Sequence, residues 1–354
     1  MIQTKSRFTT GLIASVIFLV PLITTADEAA RRYKTPEERR DAGQKHEITE
    51  WLQISPLIEL EYSSQTFKPF ELSDSTLTEN SKTLQLEIEI IPTDWLTSEI
   101  VYEYDDQLDE FVLDEAVAEL EANDFKLELG KIYLPFGEYY SRFVTGPMLE
   151  FGETRGRGIV LAYEPDDSLE VSVFIFKSKI ENNIVNDDKL DWGFALSISP
   201  VESVSTGFSY LSDLSESDEK LLEDDITYLQ RVDAISAYAN IEFDNFETSM
   251  EWLQAVDSFS ELDTDRNRPR AWNLEIAFPL RDDFELALRV EGSKELEDAP
   301  ELQTGLAVNL HATKNITATI EFLRGRFKRG LAEDVNGNEL DKQNQLAAQL
   351  GISF

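Results

Sequence analysis

From Trp51 to Phe354 apolar and polar residues take turns along the chain. Leu52, Ile54, Ile58, Leu60 and Tyr62 alternate with Gln53, Ser55, Glu59, Glu61 and Ser63. Leu84, Leu86, Ile88 and Ile90 alternate with Gln85, Glu87 and Glu89, and Ile316, Ala318, Ile320 and Phe322 with Thr317, Thr319 and Glu321. The chain then ends in LAAQLGISF, still alternating, on an aromatic residue. A period of two is the signature of a strand with one greasy face and one polar face. In a soluble sheet that last stripe would be an aggregation-prone edge. In hydrocarbon every backbone polar group needs an internal partner, so a sheet has to close on itself. Closure pairs the last strand with the first and removes the edge.

About sixteen such runs, each of roughly 8–12 residues, follow one another, the length that crosses a bilayer at a tilt. The first covers 51–63 and the last 345–354. Every second connector is short and built of turn residues: IPTD, AND, EPDDS, SPVE, DN, PLRDD and HATKN. The others are long and polar, such as SDLSESDEKLLEDDITYLQ and RFKRGLAEDVNGNELDK. Short turns at one end and long loops at the other define an all-β fold: a closed antiparallel transmembrane barrel of about sixteen strands in the outer membrane of a Gram-negative bacterium. Trp51, Trp95, Phe246 and Phe284 fall near the short turns, and Tyr62, Tyr102, Tyr210 and Trp252 toward the long loops, as interfacial girdles would. Leu350, Ile352 and Phe354 resemble the terminal signal read by the barrel-assembly machinery.

Residues 1–26 read as an export signal: Lys5 and Arg7, an apolar centre from Gly11, and a small-residue end at Ala26. A polar segment, 27–50, precedes the barrel at 51–354. Within it Thr35-Pro36-Glu37-Glu38 is a helix-start pattern and Gly43 a stop, so a short periplasmic helix is expected over 36–45.

The formal net charge is −37, which excludes nucleic acid as a partner. With no cysteine, disulfides and thiolate chemistry are out, and no metal or cofactor site is expected. The two histidines, His46 and His311, fall before the barrel and in a short turn, so an enzyme is not expected. An energised receptor needs a plug and about twenty-two strands. The segment between signal and barrel is too short for one.

Sixteen strands leave an aqueous bore. Parity points Glu59, Glu61, Glu87, Glu89, Glu99, Glu103, Glu119, Glu128, Glu170, Glu247, Glu251, Glu275, Glu285 and Glu321 inward, against few bases, among them Lys126 and Arg289. Such a wall either enriches cations or simply solvates a wide lumen. The third long connector, within 134–155, is more aromatic than the rest. Folded into the barrel, it would place Glu138, Tyr139, Tyr140, Arg142, Phe143, Glu150, Glu153, Arg155 and Arg157 at a constriction. Parity with Ile159 and Leu161 points Arg155 and Arg157 outward, so that role requires a bend there. The alternative is an external cap touching lipopolysaccharide. The acidic run 213–225 and the Asp334–Asn338 stretch read as solvated loop and hairpin tip.

GKIYLPFG (130–137), FGETRGRGIVLAYE (151–164) and PEERRDAGQKHEITEWLQISPLIELE (36–61) resemble the LbtU-type siderophore porins. The resemblance implies an outer-membrane barrel that takes up a ferric siderophore without an energised plug, and it carries over no ligand residue. Similar glycine-lysine-aromatic-Pro-Phe-Gly runs occur in phosphate-selective porins, whose lining should be basic; here the inward residues are acidic. A general cation-preferring porin and a structural or adhesive barrel stay open beside it, and no oligomeric state follows.

Overall fold

A computed structural model describes residues 45–105, 110–178, 190–217, 221, 228, 230–334 and 336–354. The export signal and the helix expected over 36–45 lie outside the described residues. The strands are β1 His46–Thr49, β2 Leu52–Pro69, β3 Ser75–Thr93, β4 Leu96–Asp105, β5 Glu110–Ala122, β6 Phe125–Tyr133, β7 Arg155–Asp166, β8 Leu169–Ser178, β9 Asp191–Val201, β10 Val204–Leu211, β11 Ala234–Phe243, β12 Phe246–Ala255, β13 Arg270–Arg281, β14 Phe284–Lys294, β15 Leu302–Thr313, β16 Ile316–Arg326 and β17 Leu340–Ser353.

Each of β2 to β17 pairs antiparallel with its neighbours in sequence, and β17 pairs with β2 from Leu340↔Pro69 to Ser353↔Leu57. The sheet is therefore a closed sixteen-stranded barrel. Leu350 lies opposite Leu60, Ile352 opposite Ile58, and the Phe354 N–H donates to the Pro56 carbonyl at 3.1 Å. The terminal stripe is thus half of the seam. β1 adds a piece that the sequence reading lacked. It folds back on β2 with His46 opposite Ile54, just past the point where β17 ends. Residues 46–49 are therefore strand, not the end of a polar tail.

Seven connections, Asp94–Trp95, Asn123–Asp124, Asp167–Ser168, Glu202–Ser203, Asp244–Asn245, Asp282–Asp283 and Lys314–Asn315, are two-residue turns, all at one end. β2 and β3 are longer than the alternation implied, 18 and 19 residues. Their outward residues past the lipid band are Ser64, Thr66 and Lys68 against Thr78 and Thr76. The outward face of that extension has left the lipid, so the greasy half of the pattern fades there while the ladder continues, and inward Phe67 and Leu77 pack with Phe327, Ala332 and Leu340.

The outside of the barrel is bare hydrocarbon: Val173 is 51% exposed, Ile320 48% and Phe322 46%, while inward Ala277, Ala287 and Ala307 are fully buried. This inverts a soluble protein and identifies an outer-membrane barrel. The apolar core lies within the lumen, on the β7–β14 side, where Phe174, Phe176, Leu211, Leu253 and Phe259 pack against Phe136, Leu149 and Phe151.

Candidate functional site: a loop held inside the barrel by carboxylates

The segment that supplies Phe136, Leu149 and Phe151 is the connection between β6 and β7, and it lies inside the barrel. Two glycines start it. Gly130 in β6 approaches β5 so closely that a Cβ would sit 1.9 Å from the Ala116 carbonyl oxygen. Gly137 turns the chain inward with φ +80°, and a Cβ there would meet the Tyr139 ring and the Glu251 carboxylate.

Past Gly137 the chain has no regular structure until a 3-10 turn at Met148–Gly152. Its N–H groups are buried and need acceptors. The barrel wall provides them from successive strands. The Gly137 N–H donates to Ser209 Oγ of β10 at 3.0 Å, and those of Glu138 and Tyr139 to the two oxygens of Glu251 on β12 at 2.8 and 2.9 Å. Ser141 Oγ and the Arg142 N–H donate to Glu275 on β13 at 2.6 and 3.0 Å. The Arg142 carbonyl accepts from Asn309 of β15 at 3.1 Å. Val144 and Thr145 N–H groups, with Thr145 Oγ1, donate to Glu321 on β16. Gln345 of β17 donates to Thr145 Oγ1 at 2.8 Å, and the Met148 N–H to Glu291 on β14 at 2.8 Å. The loop thus lies along the inner wall from β10 round to β17. A charged acceptor roughly doubles the strength of each such bond.

Two arginines balance this acid. Arg142 reaches from the loop to Glu247 and, through Nε at 3.0 Å, to Glu285. Arg289 comes from β14: its Nη1 donates to the Thr145 carbonyl at 2.9 Å and to Ser141 Oγ at 3.1 Å. It lies 3.0 Å from Glu291, 3.5 Å from Glu275 and 4.3 Å over the Phe143 ring. Alternation explains how one strand does both jobs: Glu285, Arg289 and Glu291 all share parity and face the lumen.

The remaining constriction candidates divide. Tyr139, Tyr140 and Phe143 are buried in packing, and Arg142 sits over the Tyr140 ring. Burial raises the Tyr139 hydroxyl pKa well above its ordinary value, with the Glu251 charge adding to it. Glu138 accepts from Asn240 at 3.0 Å, and Glu150 lies against Gly146. Glu153 is half-buried. Arg155 and Arg157 correct the expectation. β7 begins at Arg155, with no bend, and in register with Ile159 both point outward. Arg155 pairs with Asp114 and stacks on Tyr133, outside the lumen.

Among the wall residues, Glu275 and Arg289 are sealed beneath the loop, so they do not line open water. Parity gives the side of the sheet a residue occupies, not what lies against that side. Glu59, Glu89 and Glu128 lie on the uncovered β2–β6 wall with Glu61, Glu99, Glu103 and Glu119, and none of these is buried. Lys126 sits between Glu119 and Glu128 at 3.2 and 2.9 Å. Lys45 enters from below to Glu89 at 2.9 Å and to the buried Glu87 at 3.6 Å. Ser141, Asn309, Gln345 and Lys45 carried no sequence signal for these roles.

No family model matches the chain. A UPF0422 protein of Coxiella burnetii is 25% identical over 171 residues, which span 44% of this chain and 37% of that relative. Among solved structures, the anion-selective porin from Comamonas acidovorans superposes with a TM-score of 0.65 at 10% identity, covering 86% of this chain and 99% of the porin. The outer membrane channel DcaP of Acinetobacter baumannii gives 0.60 at 12% identity over 88% and 99%. Salmonella typhi OmpF, in complex with daunomycin, gives 0.57 at 10% over 85% and 98%. At such identities the likeness is one of fold: a sixteen-stranded barrel of the porin kind. None of these relatives is described as a siderophore porin.

Proposed function

We propose that this protein is a passive diffusion porin whose open lumen is a one-sided, acid-lined slot that prefers cationic and neutral solutes. The observation behind this is the distribution of charge after the loop is seated. The carboxylates of β12 to β16 are spent on loop N–H groups and on Arg142 and Arg289. Those of β2–β6, the buried Glu87 apart, remain half-exposed, with Lys126 and Lys45 among them. A confined channel with carboxylates on its open wall concentrates cations and repels anions. The anion-selective porin of the same fold is no contradiction, because selectivity resides in side chains and not in the barrel.

The ferric-siderophore reading rests on the resemblance of GKIYLPFG and its companions, and the acid wall narrows it by charge. Three dianionic catecholates around a ferric ion leave a trianion, whereas three monoanionic hydroxamates leave a neutral core. The slot favours the second kind. Proteoliposome flux decides: a ferric tris-hydroxamate should enter faster than a size-matched ferric tris-catecholate. Equal rates, or a faster catecholate, would remove the charge argument. No flux of any small solute would favour a structural barrel.

A further inference from the structure

A small cavity lies between the start of the inserted loop and strands β11 to β13. The inward residues of those strands form a grid. Tyr238, Glu251 and Asn273 share one register across β11, β12 and β13, and Asn240, Ser249 and Glu275 share the next. Ser249 and Asn273 are thus diagonal neighbours, a separation of about 7–8 Å that one small group bridges. Glu138 and Tyr140 of the loop complete the lining. The cavity measures about 10 Å³, room for one water-sized group.

Two polar atoms of its lining residues are unmatched. Ser249 and Asn273 are 5% and 3% exposed, yet neither Ser249 Oγ nor Asn273 Oδ1 has a hydrogen-bond partner among the described residues. The Asn273 amide is oriented by its Nδ2, 3.5 Å from Glu275 Oε1; flipped, it would set oxygen against a carboxylate. Buried acceptors of this kind are costly to leave unpaired. The charge beside them is unmatched as well. Glu251 accepts from the Glu138 and Tyr139 N–H groups and from Ser236 Oγ, all neutral donors, and it forms no ion pair among the described residues. The two arginines of the loop seat are committed elsewhere, Arg142 to Glu247 and Glu285, Arg289 to Glu275 and Glu291.

We infer that this cavity binds a potassium-sized monovalent cation, potassium or ammonium, on Asn273 Oδ1 and Ser249 Oγ beside the carboxylates of Glu251 and Glu138. A water molecule would satisfy the two oxygens and leave the buried charge unbalanced. Calcium takes about 6–8 oxygen ligands, and Glu251 already spends both of its oxygens on N–H and O–H donors. The ion ties the first turn of the loop to β12 and β13, as Arg142 and Arg289 tie the part that follows. The site lies on the loop-covered wall, so it does not rest on the selectivity of the open β2–β6 wall.

The test uses the full-length folded barrel and two readouts. Crystals soaked in thallium(I) acetate, a heavy stand-in for potassium, should show an anomalous peak in contact with both Asn273 Oδ1 and Ser249 Oγ. The thermal midpoint in detergent, measured in potassium chloride, ammonium chloride and N-methylglucamine chloride at equal ionic strength, should be higher by at least about 2 °C in one or both of the first two. Which of the two salts gives the shift tells which cation the site takes. Ser249→Val with Asn273→Leu should abolish that difference, whatever it does to the midpoint itself. Ser172→Ala, which removes a buried hydroxyl of β8, should keep it. If the double variant does not fold, Ser249→Ala replaces it and should reduce the difference. Water density without a thallium peak, equal midpoints in the three salts, or a difference that survives loss of both oxygens would overturn the site. Neither readout measures ion flow, so a barrel that fails to select cations leaves this result standing.

Discussion

Arg289 is out of contact with water: its side chain is 0% exposed, as are those of Glu275 and Glu291 beside it. A buried charge cluster contributes little net stability when intact, but removing one member leaves the others uncompensated. Arg289→Met should therefore destabilise the barrel by about 3–5 kcal/mol, read as a lower urea midpoint in lipid vesicles. A midpoint within error of the parent would mean that the arginine does not neutralise the cluster. Asp213, just beyond β10, is a second such case. Burial pushes its carboxyl up from 3.8 to about 6, although Ser215 and Val232 donate to it. The folded state then holds a proton that the unfolded chain has lost, so stability falls as pH rises through that window and is fully reduced above it. Asp213→Asn should raise the thermal midpoint more at pH 7.5 than at pH 4. The same gain at both would contradict the burial account.

At the level of elements, the decisive one is the segment between β6 and β7. Its aromatic composition and its place as the third long connector marked it in the sequence. Its seat did not, because hydrogen bonds from Glu138, Tyr139, Val144 and Met148 to carboxylates on β12, β16 and β14 join residues more than a hundred positions apart. The parity that placed Glu251, Glu275 and Glu321 inward was correct and still incomplete. It could not tell a carboxylate facing water from one capping a loop. The strands were legible for the opposite reason, since alternation and turn chemistry are local. The exceptions, β1 and the upper ends of β2 and β3, are where one face ceases to be lipid. Deleting 138–153 should raise single-channel conductance, because the segment occupies lumen volume and its anchoring acids would turn to water. Unchanged conductance would show that the loop does not narrow the path.

Over the whole molecule, charge is sorted by face. Carboxylates occupy the lumen, while bases crown the lipid stripe: Lys131, Arg157 and Lys177 on one side, Arg326, Lys342 and Lys68 in register on the other. The inserted loop then covers one inner wall and leaves the other acidic. The sequence reading listed both walls as one acid ring, and only the loop's path separates the half that is occupied from the half that meets solute. This separation is what the reversal potential of the purified barrel in a planar bilayer reports, measured across a tenfold gradient of potassium chloride. The account predicts a cation-selective potential that moves toward zero when Glu99, Glu103 and Glu119 are changed to Gln, with the barrel still conducting. An anion-selective potential, or a cation preference indifferent to those three substitutions, would contradict it.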